Sequence, residues 1–232
     1  MGVRTIRITD EMFFLNKKYY LAIIDMLSEL NVADDLRIWA YARIDTVPAP
    51  DVLRKIRAAG FRWLCLGIES GDHAIRLEVA KGKFEEVDVE RVVRQVEEAG
   101  INVMANYIYG LPGDTPETIE KTFNLSAKLN TLGWNTYAAM ALPGSPLYAQ
   151  AKRQGIKLPE KYEEFSWYAY ETLPLPTATM SAADVLKIRD ENFTRYFLRP
   201  EFLAKIETAF GPEASRNIID MSSEVLRRKI IE

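Results

Sequence analysis

The chain has 232 residues, 48% of them hydrophobic and 27% charged, a composition that suits a globular protein long enough to bury a sizeable core. A net charge of -3 with no run of like charge gives no electrostatic reason to expect nucleic acid or an anionic membrane as partner. No stretch approaches the roughly 18 unbroken apolar residues of a membrane span, and no basic segment precedes an apolar signal core, so the expected compartment is the cytoplasm.

In chain order, five short apolar or aromatic runs alternate with helical patterns. The runs are "VRTIRI" (Val3 to Ile8), "LRIWAYAR" (Leu36 to Arg43), "FRWLCLGI" (Phe61 to Ile68), "INVMANYIY" (Ile101 to Tyr109) and "WNTYAAMAL" (Trp134 to Leu142). Each reads as a strand buried on both faces, the pattern of a parallel sheet. Between them, Tyr19 to Leu30 carries an apolar stripe, Ala49-Pro50-Asp51 opens a helix closed by Gly60, and Val87 to Ala99 ends at Gly100. Asp114-Thr115-Pro116 supplies capping side chains and a first-turn proline for the next helix. The rhythm stops after "LPGSPLY" at Leu142 to Tyr148. Gln150 to Met180 shows no clear period, and the aromatic run from Phe165 to Pro176 reads as packing between the barrel and a C-terminal appendage. Ser181 to Asp184 forms a capping box for a helix to about Phe197, and two further helices are expected at Pro200 to Phe210 and Glu213 to Ile231. The expected division is a barrel part at 1–150 and a C-terminal helical extension at 151–232.

Ligands of parallel α/β sheets sit at the carboxyl ends of the strands. Those ends carry Asp10 and Glu11, Arg43 and Asp45, Glu69, Ser70 and Gly71, then Asn106 and Tyr109-Gly110, a set suited to a small zwitterionic ligand. Each also has a plainer use: Asp10 and Glu11 as caps, Arg43 with Asp45 as an ion pair, Glu69-Ser70 as a turn. Cys65 is the only cysteine and reads as a small buried hydrophobe; His73 is the only histidine and reads as structural or solvated.

"LGIESGD" (Leu66 to Asp72), "NYIYGLPGDTPET" (Asn106 to Thr118) and "ALPGSPLY" (Ala141 to Tyr148) together resemble three consecutive segments of the radical S-adenosylmethionine (SAM) enzymes. The resemblance is to the branch associated with a cobalamin-binding domain, and "ITDEMFFLNKKY" (Ile8 to Tyr19) and "ARID" (Ala42 to Asp45) resemble the two segments before them. It implies an α/β fold, an incomplete (β/α)6 partial TIM barrel of which this chain supplies parallel strands two to six, plus the helical extension. It also implies cofactor contacts: Asp10 and Glu11 with the SAM amino group, Arg43 with its carboxylate, Glu69 and Ser70 with the ribose, and Ile108, Tyr109 and Gly110 alongside adenine, with Asn106 on the same rim. Asp114 stands where many relatives carry glutamate.

The family holds a [4Fe-4S] cluster through a CxxxCxxC loop, and that loop is absent from this sequence. The reading is therefore the C-terminal part of a catalytic domain, inactive alone. Met1-Gly2 directly before a strand reads as an imposed start. In the parent, cluster and SAM would give a 5′-deoxyadenosyl radical, or SAM would act with cobalamin in methyl transfer. The implied partners are an unknown small-molecule substrate and the parent's cluster-bearing and cobalamin-binding segments, with no nucleic acid and no membrane span. A natural protein that has lost the chemistry remains open. So do a phosphate-binding barrel lyase or isomerase using the Gly110 to Thr115 turn, and a non-catalytic scaffold.

Overall fold

A computed structural model describes residues 2–30, 33–79 and 87–232. The sheet has five parallel strands, β1 (Thr5–Arg7), β2 (Arg37–Arg43), β3 (Phe61–Glu69), β4 (Asn102–Tyr109) and β5 (Gly133–Ala138), in the order β1-β2-β3-β4-β5. Helices fill the crossovers: α1 (Lys17–Glu29), α2 (Pro50–Ala58), α3 (His73–Val79) and α4 (Val89–Glu98), and α5 (Pro116–Leu129). The helices α6 (Pro146–Arg153), α7 (Ala182–Phe197), α8 (Pro200–Phe210) and α9 (Pro212–Ser223) come after the last strand. This is the expected α/β partial-barrel class.

By contacts the residues divide into two compact units, one of residues 1–68, 81–106 and 131–135, the other of 69–80, 107–130 and 136–232. In the first unit the expectation of strands buried on both faces needs correction. Ile38, Ala40 and Ala42 of β2, Leu64, Leu66 and Ile68 of β3, and Val103 and Ala105 of β4 are buried, while of the positions between them Cys65 is buried and Trp39, Tyr41, Trp63, Gly67 and Met104 are only partly so. Helices of the unit, whose own Ile24, Leu53, Ile56 and Val96 are buried, cover one face of the sheet. Each such side chain contributes about 1.5–3 kcal/mol. On the other face the register sets Trp39 beside Trp63, and their rings stack at 4.7 Å. β1 is shorter than expected and all three of its residues are exposed, because it ends the strand order and pairs only with β2.

In the second unit the caps are local and legible. Thr115 accepts from the Thr118 amide at the start of α5, and Ser181 and Asp184 form the expected box at the start of α7. Such a cap contributes about 1 kcal/mol. Three departures have local causes. α3 begins where the Asp72 carboxylate accepts from the Ala74 and Ile75 amides. α6 begins at Ser145, whose hydroxyl accepts from the Tyr148 amide, and runs to Arg153, into the stretch from Gln150 expected to lack a period. α9 stops at Ser223 rather than continuing to Ile231, because the chain turns extended at Glu224 and its tail is held elsewhere, the Lys229 amide donating to the Tyr170 carbonyl. Of the aromatic run, Trp167 packs as expected, donating to the Ala138 carbonyl with its ring 4.7 Å from that of Tyr137, whereas Tyr168 and Tyr170 are exposed.

Candidate functional site

The end of β3 is built around one backbone irregularity. Glu69 has φ 66, a left-handed conformation that costs a residue other than glycine about 1–3 kcal/mol and persists only where its surroundings impose it. Here they do. Ser70, fully buried, places its hydroxyl 3.2 Å from that of Thr122 on α5 and accepts from the Asp72 amide, and its carbonyl accepts from Arg76 at 2.7 Å. The Gly71 amide donates to Thr122 at 2.9 Å, and a Cβ at Gly71 would lie 2.6 Å from the Lys121 carbonyl oxygen and the Thr122 Cα. Asp72 caps α3 and also meets Lys121 at 2.7 Å, which holds its carboxyl below the usual range. The Ser70 hydroxyl and carbonyl, the Gly71 and Asp72 amides and the Asp72 carboxylate are thus all engaged. The Glu69 carboxylate meets no donor among the described residues, and burial pushes it up to about 7. Gly71→Ala should weaken the fold by about 1–3 kcal/mol, because a helix backbone cannot swing aside as a side chain can. Urea unfolding beside Gly144→Ala, at a position with nothing within 4 Å of the added carbon, checks this.

The second wall of this unit lies just past β4. Tyr109 is buried and burial raises its phenol, whose oxygen accepts from Asn192, while its carbonyl accepts from the Ala139 amide at 2.8 Å. Ile108 packs partly buried against Ile75, Leu111 and Ala139. Gly110 has φ 79, and a Cβ there would lie 2.6 Å from Val185. Two independent constraints therefore demand glycine at this position. The Leu111, Asp114 and Thr115 amides after it are satisfied internally. The buried Asp114 carboxylate accepts from the Leu111 amide at 2.9 Å, from the Gly110 amide, and from the Thr118 hydroxyl at 2.7 Å. Burial raises its pKa and these bonds oppose the rise. The turn carries its own anion, so the place a phosphate would take is filled. Titration with inorganic phosphate should leave the amide resonances of residues 110–115 unmoved; a saturable shift there would revive the phosphate-site alternative.

The remaining expected residues belong to the other unit. Arg43 forms a two-pronged pair with Asp45, which raises its pKa further. Asp10 is exposed and accepts from the Met12 amide at 2.9 Å, a local turn, and Glu11 is exposed. Asn106 donates to the Leu66 and Met104 carbonyls and accepts from Asn135 at 3.1 Å, bridging β3, β4 and β5 on the partly exposed face. Cys65 is buried and burial pushes its thiol up to about 11, the behaviour of an inert core cysteine. His73 is exposed at the start of α3. Of the expected site residues, the second unit holds Glu69, Ser70, Ile108, Tyr109 and Gly110, and the first holds Asp10, Glu11, Arg43 and Asn106. Sequence reasoning missed Thr122 and the inward role of Asp114. For Thr122 the available signal was a threonine on the buried helix stripe that also carries Ile119, Phe123 and Ser126.

A parallel sheet with helical crossovers and glycine-shaped turns at its strand ends defines a barrel of the (β/α) class. Within that class, residues 1–126 match the model of the radical SAM superfamily, more than half of the chain, and the chain belongs to that superfamily. It is 23% identical over 206 residues to an uncharacterized methyltransferase of Pyrococcus horikoshii, covering 88% of this chain and 43% of that protein. It is 27% identical over 157 residues to the hopanoid C-2 methylase of Rhodopseudomonas palustris, covering 66% and 30%. Among solved structures it is similar to TsrM from Kitasatospora setae, a radical S-adenosylmethionine methyltransferase with cobalamin and a [4Fe-4S] cluster bound. That likeness has 24% identity and a TM-score of 0.58 over 68% of this chain and 32% of TsrM. It is similar also to OxsB, a cobalamin-dependent S-adenosylmethionine radical enzyme, with 13% identity and a TM-score of 0.56 over 94% of this chain and 38% of OxsB. The chain spans less than half the length of each of these proteins.

Proposed function

We propose that this chain forms the SAM-binding part of a larger radical SAM enzyme of the cobalamin-associated branch, one that carries out methyl transfer. The observation that carries the reading is the Glu69 carboxylate, held at a strand end in a left-handed conformation, raised to about 7 and met by no donor among the described residues. A half-buried acceptor that meets no donor among the described residues suits a ligand that brings vicinal hydroxyls, as the ribose of SAM does. Tyr109 and Gly110, in the same unit, offer a wall whose backbone course is fixed by Ala139, Val185 and Asp114. Bound SAM would supply the methyl or adenosyl group; the residues of this chain bind and orient it. The relatives named as methyltransferase and methylase, and TsrM, support the methyl-transfer reading.

The iron–sulfur cluster does not fit the residues of this chain. Cys65 is its only cysteine and is buried, and no group of three His, Cys, Asp or Glu among the described residues could hold a metal ion. We therefore assign the cluster ligands, and any cobalamin-binding segment, to polypeptide outside this chain. Reconstitution of the chain with iron and sulfide should give no cluster held by three protein thiolates, as read by Mössbauer and absorption spectra. No described helix is long and apolar enough to cross a membrane.

The ligand assignment is tested by calorimetric titration with S-adenosylhomocysteine. Glu69→Gln should weaken binding by about 1.5–3 kcal/mol, roughly 10- to 150-fold, the range for hydrogen bonds to a charged acceptor. Wild-type affinity should also fall as the pH drops below about 7, where Glu69 takes up its proton. An unchanged affinity in Glu69→Gln would defeat the assignment.

A further inference from the structure

Thr122, on α5, bonds the Glu69 turn across 52 residues of sequence, and its protons can be assigned in one way. The hydroxyls of Ser70 and Thr122 lie 3.2 Å apart, and either could donate. Thr122 has a second acceptor in the Thr118 carbonyl at 3.0 Å, whereas Ser70 has none among the described residues. Ser70 therefore donates to Thr122, and Thr122 donates to Thr118. The Thr122 oxygen also accepts from the Gly71 amide at 2.9 Å, and the Ser70 oxygen from the Asp72 amide at 3.1 Å. Both side chains are sealed from solvent, Ser70 at 0% and Thr122 at 1% exposure, so water cannot take the place of either oxygen.

One oxygen on α5 thus satisfies two donors from consecutive residues immediately after Glu69. Gly71 permits the approach, since any side chain there would strike the α5 backbone. Glu69 has no side-chain partner among the described residues to orient it, so its direction is set by the course of residues 69–71. α5 is in turn fixed at its start by the Asp114 and Thr115 bonds just past Gly110.

We propose that Thr122 is a positioning residue, holding the Glu69 carboxylate where the vicinal hydroxyls of an adenosyl ligand reach it. The assignment rests on Glu69 being a ligand contact. Thr122 touches no ligand; it acts through the backbone of Ser70 and Gly71. Valine at this position keeps the shape and removes the acceptor, whereas serine keeps the acceptor and removes only a methyl group.

The test uses this chain, S-adenosylhomocysteine as probe, and carbon-13 titration of the Glu69 carboxyl. In Thr122→Val the Glu69 midpoint should fall from about 7 toward the ordinary carboxylate range as the turn loosens and hydrates. Affinity should fall about tenfold and the Gly71 amide should exchange at least about tenfold faster. Thr122→Ser should restore all three, and adding Thr122→Val to Glu69→Gln should cost no further affinity. If Thr122→Val does not fold, Thr122→Ala carries the same expectations. A valine or alanine variant with the wild-type midpoint and affinity overturns the proposal and leaves the ligand assignment standing. Glu69→Gln with unchanged affinity overturns that assignment instead, and the titration midpoint still reads whether Thr122 positions the carboxyl.

Discussion

Asp190→Asn should destabilise the unit that contains the C-terminal helices by about 3–5 kcal/mol, the cost of stripping a buried cation of its counter-charge. Asp190 accepts from two buried arginines: Arg189 at 2.8 Å, and Arg228 at 2.8 and 3.1 Å. Arg228 is 2% exposed and donates further to the Trp167 and Ala169 carbonyls and to Thr172, while Arg189 reaches the Thr136 carbonyl. Without the carboxylate, two guanidinium groups would sit side by side in a dry interior. Arg228→Met should cost nearly as much, for a different reason: it leaves the Trp167 carbonyl without its donor and releases the chain after Ser223. The comparison is Arg195→Met, which breaks a pair with Glu120 of similar geometry whose side chains are 48% and 45% exposed. There less than about 1 kcal/mol should be lost. Urea midpoints for the three variants decide the matter, and equal losses at both pairs would remove burial as the explanation.

Stability should also depend on pH through Glu69. Its pKa in the folded chain stands near 7 against an ordinary 4.5, so the native state holds a proton that the unfolded chain has already released. The favourable contribution is complete below about pH 4.5 and is lost as the pH rises through about 7, and at about 1.4 kcal/mol per unit it amounts to about 3.5 kcal/mol. Glu69→Gln, which keeps an uncharged group there at every pH, should flatten this part of the profile. The difference between wild type and variant, measured by urea unfolding from pH 4.5 to 8, should grow with pH. A constant difference would mean that the carboxylate finds solvent or a counter-charge. Ligand hydroxyls that bind the ionised form should oppose the loss, so S-adenosylhomocysteine should stabilise the protein more at pH 8 than at pH 5.

The features legible in the sequence were local ones. The capped starts of α5 and α7 come from Thr115-Pro116 and from the Ser181 to Asp184 box, in which donor and acceptor lie three residues apart. The strand runs were marked by β-branched and aromatic clustering, and the fold class by their alternation with helices. The faces of β2 to β4 were less legible. A run such as "RIWAYAR" is apolar at nearly every position, and hydrophobicity does not say which side a helix will cover. α6 was missed although Ser145-Pro146 repeats the signal of Thr115-Pro116, because the segment after it lacks a period. Within the site, Glu69, Tyr109 and Gly110 could be named from their place at strand ends, but the groups that hold them could not. The partner of Ser70 is 52 residues away, and the ligand-like anion of the Gly110 turn is Asp114, which looked like a cap. The pairing of Arg43 with Asp45, two residues apart, was one of the uses the sequence allowed, and the folded structure contains it.

The Asp114 carboxylate has a consequence for kinetics. A turn whose amides are already bonded to its own side chain keeps one shape whether or not anything lies against it, so the cost of ordering it falls on folding and not on recognition. A ring sliding along Tyr109 and Gly110 would dock as on a rigid surface. Its capture would be governed by diffusion and access, with no slow closing step, and its residence time by the contacts made on arrival.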